Sequence, residues 1–139
     1  MVSRRSSCAA TSWLALLLVC STLAGCNGGT VDRHALTKDA EAVDSLACEG
    51  RLLARDVTEG EGTSAFLRVH SGELAQRASN FADALSERPT STVIEADVRG
   101  LARKAGRVAR LLDTLGRTWH DGARAAEVER KLAAEGDCP

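Results

Sequence analysis

Apolar residues recur at intervals of three and four along most of this chain. The pattern is cleanest at Ile94, Val98, Leu101, Ala105, Val108, Leu112, Leu115 and Trp119, which follow one another at four, three, four, three without a miss. Such a heptad seam predicts a long helix packed against its neighbours at shallow angles. Leu67, Leu74, Ala78, Phe81 and Leu85 predict a helix over 64–87, and Leu36, Val43, Leu46, Gly50, Leu53 and Val57 predict one over 31–58. Gly60-Glu61-Gly62 marks the first break. Arg88-Pro89-Thr90-Ser91 marks the second, because proline disfavours helix in the residue before it. Thr92 with Glu95 three places on reads as a capping box that starts the third helix.

Past Trp119 the apolar stripe changes sides. At 100° per residue, Val128 and Leu132 fall nearly opposite the seam of Leu112 and Leu115. His120-Asp121-Gly122 sits at the change, with Asp121 as an N-cap and Gly136 as a C-terminal stop. The pattern predicts a short fourth helix over about 122–135 that folds back. The competing reading is a single helix of about 43 residues whose last turns are solvated. Short loops make sequence neighbours antiparallel. The expected fold is all-α: an antiparallel up-down helical bundle of three long helices plus a short C-terminal fourth.

The first 25 residues follow a different pattern. Arg4 and Arg5 precede an apolar run, Trp13-Leu14-Ala15-Leu16-Leu17-Leu18-Val19-Cys20, and small residues follow it. That run is shorter than the roughly 18–20 residues a spanning helix requires, and the order of charge, oil and small residues is that of an export signal. It ends in Leu23-Ala24-Gly25-Cys26. This tetrapeptide resembles the lipobox of bacterial lipoproteins. The resemblance implies that Cys26 carries lipid and becomes the mature N-terminus, and it extends no further than the leader. Two or more acyl chains would hold the protein lastingly on a membrane. The alternatives are ordinary secretory cleavage near Ala24, or an uncleaved anchor. The chain then divides into a signal peptide (1–25), a lipid-bearing cysteine with a short tether (26–30) and a bundle domain (31–139). Asn27-Gly28-Gly29-Thr30 span about 14 Å at full stretch, so the domain should ride close to the membrane, outside the cytoplasm. In lipoproteins of two-membrane bacteria an aspartate after the cysteine tends to retain the protein on the inner membrane. Asn27 in that position implies the outer one where a second membrane exists.

Two of the five cysteines, Cys8 and Cys20, leave with the leader, and Cys26 is taken by lipid. Cys48 and Cys138 remain, in a compartment where disulfides form and persist. A returning fourth helix would descend to about the level of residue 44, near Cys48. One unbroken helix would carry Cys138 some 30 Å beyond it, at about 1.5 Å per residue, whereas a disulfide needs Cα atoms within about 7 Å. The fourth helix and a Cys48–Cys138 disulfide therefore imply one another. Two reduced thiols, or a disulfide to a partner, are the alternatives. Cys48 and Leu52 lie off the main apolar seam, as though a further element covers that flank.

Composition narrows the functions. Removing the leader takes Arg4 and Arg5 from the 18 basic residues and none of the 19 acids, leaving 16 against 19. This near-neutral balance, with Phe66, Phe81 and Trp119 as the only aromatics past the leader, argues against nucleic-acid binding. His34, His70 and His120 fall on different levels and lack metal-ligand spacing, which predicts solvated histidines, no metal and no haem or other cofactor. Ser71, Ser79 and Ser86 have no glycine elbow, and no motif points to an enzyme. Arg99, Arg103, Arg107, Arg110, Arg117 and Arg124 fall within about a 100° arc opposite the third seam. That arc is either an ordinary solvated face or an anion-binding one. The expected function is a non-enzymatic, lipid-anchored envelope protein whose partners are the membrane and another envelope protein. The alternatives are anion binding by the arginine face and small-ligand binding in an inter-helix pocket.

Overall fold

The computed structural model describes residues 32–138. The leader, Cys26 and the tether lie outside the described residues. Within them the chain forms four helices: α1 (Arg33–Glu59), α2 (Ser64–Glu87), α3 (Glu95–Arg117) and α4 (Gly122–Ala133). The protein is an all-α helical bundle. No helix among the described residues is long and apolar enough to cross a membrane.

Local chemistry fixes most of the ends. Asp32 caps α1, its carboxylate accepting from the Ala35 amide at 2.7 Å, and Thr63 caps α2 through the Phe66 amide. α1 stops where Gly60 takes a left-handed conformation, φ 74°, which costs glycine nothing. The Glu61 amide then satisfies the Asp56 carbonyl at 2.7 Å. Asp121 is the N-cap of α4, its Oδ1 accepting from the Arg124 amide at 3.0 Å. α3 and α4 are separate helices: Thr118 closes α3, and the chain turns through Thr118–Asp121. The turn lets Ala125, Val128 and Leu132 bury themselves. A continued straight helix would leave them in water.

Two expectations about helix ends need correction. The capping box Thr92/Glu95 does not form. A turn closed by the Ile94 amide on the Ser91 carbonyl precedes the helix, Ile94 holds the N-cap position without a side-chain cap, and Glu95 bonds Arg99 instead. Burial explains the choice, for this turn buries Ile94 to 5% exposure. Gly136, in turn, does not end α4 by a left-handed turn; among the described glycines only Gly60 and Gly62 have positive φ. Its role is close approach. A Cβ there would stand 3.0 Å from Ala47 Cβ and 3.1 Å from the Asp44 carbonyl oxygen.

The seams form one core. Every residue of the α3 seam from Ile94 to Leu115 is buried, joined by Val43, Leu46, Leu53 and Val57 of α1 and Leu67, Leu74, Ala78 and Leu85 of α2. Each Val, Leu or Ile among them contributes roughly 1.5–3 kcal/mol when fully buried, and each Ala less. Two interfaces are extensive, α2 with α3 and α1 with α4; the others are narrower. Contacts run in opposite senses along α1 and α2 (Asp39 with Arg88, Glu49 with His70) and in the same sense along α1 and α3 (Asp44 with Lys104, Gly50 against Leu112). Arg55 with Glu129, and Gly136 against Asp44, run α4 back down α1. Cys48 and Cys138 are disulfide-bonded, with Cα atoms 5.5 Å apart.

Candidate functional site

α1 and α2 are sequence neighbours that meet along a narrow strip, and the space left between them is a groove. Ala42, Ser45, Leu46, Glu49, Arg77, Asn80 and Phe81 line about 430 Å³ of it. Its floor is apolar and its rim carries both signs of charge. Beyond Glu49 the two helices are bridged: the Glu49 carboxylate lies 2.8 Å from His70 Nε2, and Glu73 lies 3.8 Å from Nδ1. Phe66 stacks on the His70 ring with centroids 5.3 Å apart. Leu52, Phe66 and Val69 on these two helices are more than half exposed. Leu52 thus departs from expectation: the segment after α4, with Gly136 and Cys138, covers Cys48 and leaves Leu52 outside.

The histidines do not converge. His34 is exposed near the start of α1, His70 bridges α1 and α2, and His120 packs edge-on to Trp119 in the α3–α4 turn. Among the described residues no cluster of His, Cys, Asp and Glu has the makings of a metal site. Pattern reading treats His70 as solvated, whereas it is half-buried and bonded to a carboxylate 21 residues away. No local signal marks that pairing. Ser71 is fully buried with its hydroxyl donating to the Leu67 carbonyl at 2.6 Å, and Ser86 donates to Ala82 in the same way. Hydroxyls engaged by their own helix make poor nucleophile candidates. Ser79 lies in a shallow groove between α2 and α3 with Gly72, Ala75, Gln76, Ala109, Arg110 and Asp113.

Arg99, Arg103, Arg107, Arg110 and Arg117 share the outer face of α3, whereas the turn after Arg117 moves Arg124 onto α4 and off that arc; all six are exposed, but most have carboxylate partners. Arg99 pairs with Glu95, Arg117 with Asp113 and Arg124 with Glu127. Arg107 grips Glu135 through two hydrogen bonds, of 2.6 and 2.9 Å, tying α3 to the end of α4. The hydrogen bond from Glu135, helped by its charge, raises the Arg107 pKa above the ordinary arginine value. Glu127 accepts from Lys131 and Arg124 together, and these bonds hold its carboxyl down at about 2. Among the described residues Arg103 and Arg110 have no carboxylate within ion-pair distance. The fixed positive charge of the stripe is therefore much smaller than its arginine count implies.

Comparison with known proteins yields no match to a family model, to a curated protein or to a solved structure.

Proposed function

We propose that this chain is a lipid-anchored protein of the cell envelope that acts by contact, presenting helix surfaces to another envelope protein, and that it catalyses no reaction. The observation that carries the reading is a pair of cysteine placements. Cys26 closes a lipobox-like Leu23-Ala24-Gly25-Cys26, and Cys48 is bonded to Cys138, as suits an exported, oxidising compartment. The exposed Leu52, Phe66 and Val69 beside the α1–α2 groove support contact as the mode of action, since apolar side chains gathered on one flank mark interaction sites.

The test is the intact mass of the protein from a membrane fraction, with and without reduction before thiol alkylation. A species that begins at Cys26, carries acyl mass and alkylates only after reduction is expected. Unmodified mass would reject the anchor. In-cell crosslinking from Ser45 and Asn80, which flank the groove, should then capture a reproducible neighbour that crosslinking from Arg130 on α4 does not. Equal yields from all three positions would reject the contact reading.

A second reading, anion binding by the arginine face, now rests on Arg103 and Arg110. It predicts salt-sensitive retention of the unlipidated domain on anionic liposomes, lost when both are changed to Ala.

A further inference from the structure

We infer that the α2–α3 loop, with Val93 at its tip, docks against the lipid surface to which the chain is tethered, so that the bundle stands end-on to the membrane. The inference rests on the lipid-anchor reading. Asp32 opens α1, and Cys26 lies six residues before it, within about 20 Å along a fully extended backbone. Whatever end of the bundle holds Asp32 is thereby kept at the membrane.

The fold decides what else lies at that end. α1 and α3 run in the same sense, with Asp44 beside Lys104 and Gly50 against Leu112. An offset of about 60 residues puts Asp32 level with the loop that precedes α3. Arg88, at the other end of the same loop, reaches Asp39 at 2.8 Å. The turns Gly60–Thr63 and Thr118–Asp121 lie at the opposite end, about 40 Å away along a helix of 27 residues at 1.5 Å per residue.

The loop has the surface such a contact needs. Val93 is 79% exposed, the most exposed large apolar residue described, while its neighbour Ile94 is buried at 5%. The turn that seats Ile94 in the core pushes Val93 outward. Between Glu87 and Glu95 the loop holds no acid: Thr90, Ser91 and Thr92 offer three hydroxyls, and Arg88 is paired with Asp39. The first turn of α1 also lacks acids and carries Arg33 and His34. A cation there opposes the helix dipole, so this placement is not explained by helix stability. An apolar tip flanked by hydroxyls, with the exposed Arg33 at the same end of the bundle, suits the headgroup boundary of a bilayer.

The test uses the full lipidated protein in liposomes of anionic phospholipid. With Cys26 acylated and Cys48 bonded to Cys138, a single new thiol can be labelled with an environment-sensitive fluorophore. Val93→Cys and Ser91→Cys report on the loop, and Glu61→Cys reports on the far end. The expected result is blue-shifted emission at 93 and 91, quenched by spin-labelled lipid, with neither effect at 61. Protein that floats with the liposomes while all three labels behave alike would overturn the docking and leave the anchor standing. Protein that fails to float would overturn both.

Discussion

The α2–α3 hairpin and the α1–α4 pair are the two extensive interfaces of the bundle, and they are held together by different means. α2 and α3 are joined by the seven residues between Glu87 and Glu95, so closing them costs little chain entropy. Their contact is apolar packing along two long seams. α1 and α4 are the first and last helices in chain order. α4 has only 12 residues and three buried side chains, Ala125, Val128 and Leu132. A helix so short is marginal by itself. It is secured by the Cys48–Cys138 bond, by Gly136 lying against α1, and by ion pairs from Arg55 and Arg107 to Glu129 and Glu135. Proximity in sequence lets one pair rely on burial. Distance makes the other depend on particular residues.

The largest effect should come from removing the disulfide. Its cysteines are 90 residues apart, and closing a loop of that size stabilises by about 4–5 kcal/mol in the chain-entropy model. Cys48→Ala with Cys138→Ala should lower the melting temperature by roughly 15 °C or more. Limited proteolysis should then cut α4 before the α2–α3 hairpin. Simultaneous loss of both pairs, with α4 no more exposed than the hairpin, would contradict the contrast.

Gly136→Ala tests the same pair without touching a cysteine. The new Cβ would press on Ala47 and on the Asp44 carbonyl, and a backbone oxygen cannot rotate away. Overpacking of this kind costs about 1–3 kcal/mol. The end of α4 should lift from α1, and Cys48 should react faster with alkylating reagent during oxidative refolding. Unchanged stability and unchanged thiol protection would show that α4 does not need this approach.

What could be read from the sequence follows the same division. The α3 seam and the extents of α1 and α2 were legible because apolar periodicity over many turns is redundant. The Cys48–Cys138 bond was legible only jointly with the returning α4, through level arithmetic. Ala47 and Ala54, fully buried, were not singled out, since alanine gives no contrast between a buried and an exposed face. Ser71 escaped for a related reason: its helix satisfies its hydroxyl, so a polar residue behaves as a core one. The Glu49–His70 bridge depends on the register between two helices, and no spacing along one chain segment encodes that. For the arginine face the positions were legible and the charge was not. Glu135 reaches it from the turn after α4, and Glu95 and Asp113 reach it from one turn away.

Within the hairpin, Gly116 and Ser71 offer a smaller test. A Cβ at 116 would stand 2.7 Å from the Ser71 hydroxyl and 3.7 Å from Ser71 Cβ. Gly116→Ala alone must displace a buried hydroxyl from the Leu67 carbonyl, which we expect to destabilise by about 1–2 kcal/mol. Ser71→Ala removes the obstacle, and the added methyl then sits at ordinary contact distance. The double variant should recover wild-type stability or exceed it, because alanine is the better helix former by about 1 kcal/mol. Chemical denaturation of the four proteins gives the coupling. Additive losses would mean that the two helices are not packed at the Ser71–Gly116 approach.

The smallest effect is electrostatic and confined to α4. Glu127 sits between Arg124 and Lys131, with its carboxyl held at about 2 against an ordinary 4.5. A depressed acid stabilises the folded state above its unfolded pKa, and that contribution is lost as pH falls toward the folded value. The window is therefore about pH 4.5 down to 2. Glu127 lies at the surface, so the contribution is weak and salt-sensitive. Amide exchange at Val128 and Leu132 should show α4 opening more readily as pH drops through this window, after correction for intrinsic exchange. Glu127→Gln should flatten that dependence and leave the amides of Leu74 and Leu101 unmoved. A pH response of equal size in the hairpin, or one that survives Glu127→Gln, would assign the acid sensitivity to other carboxylates.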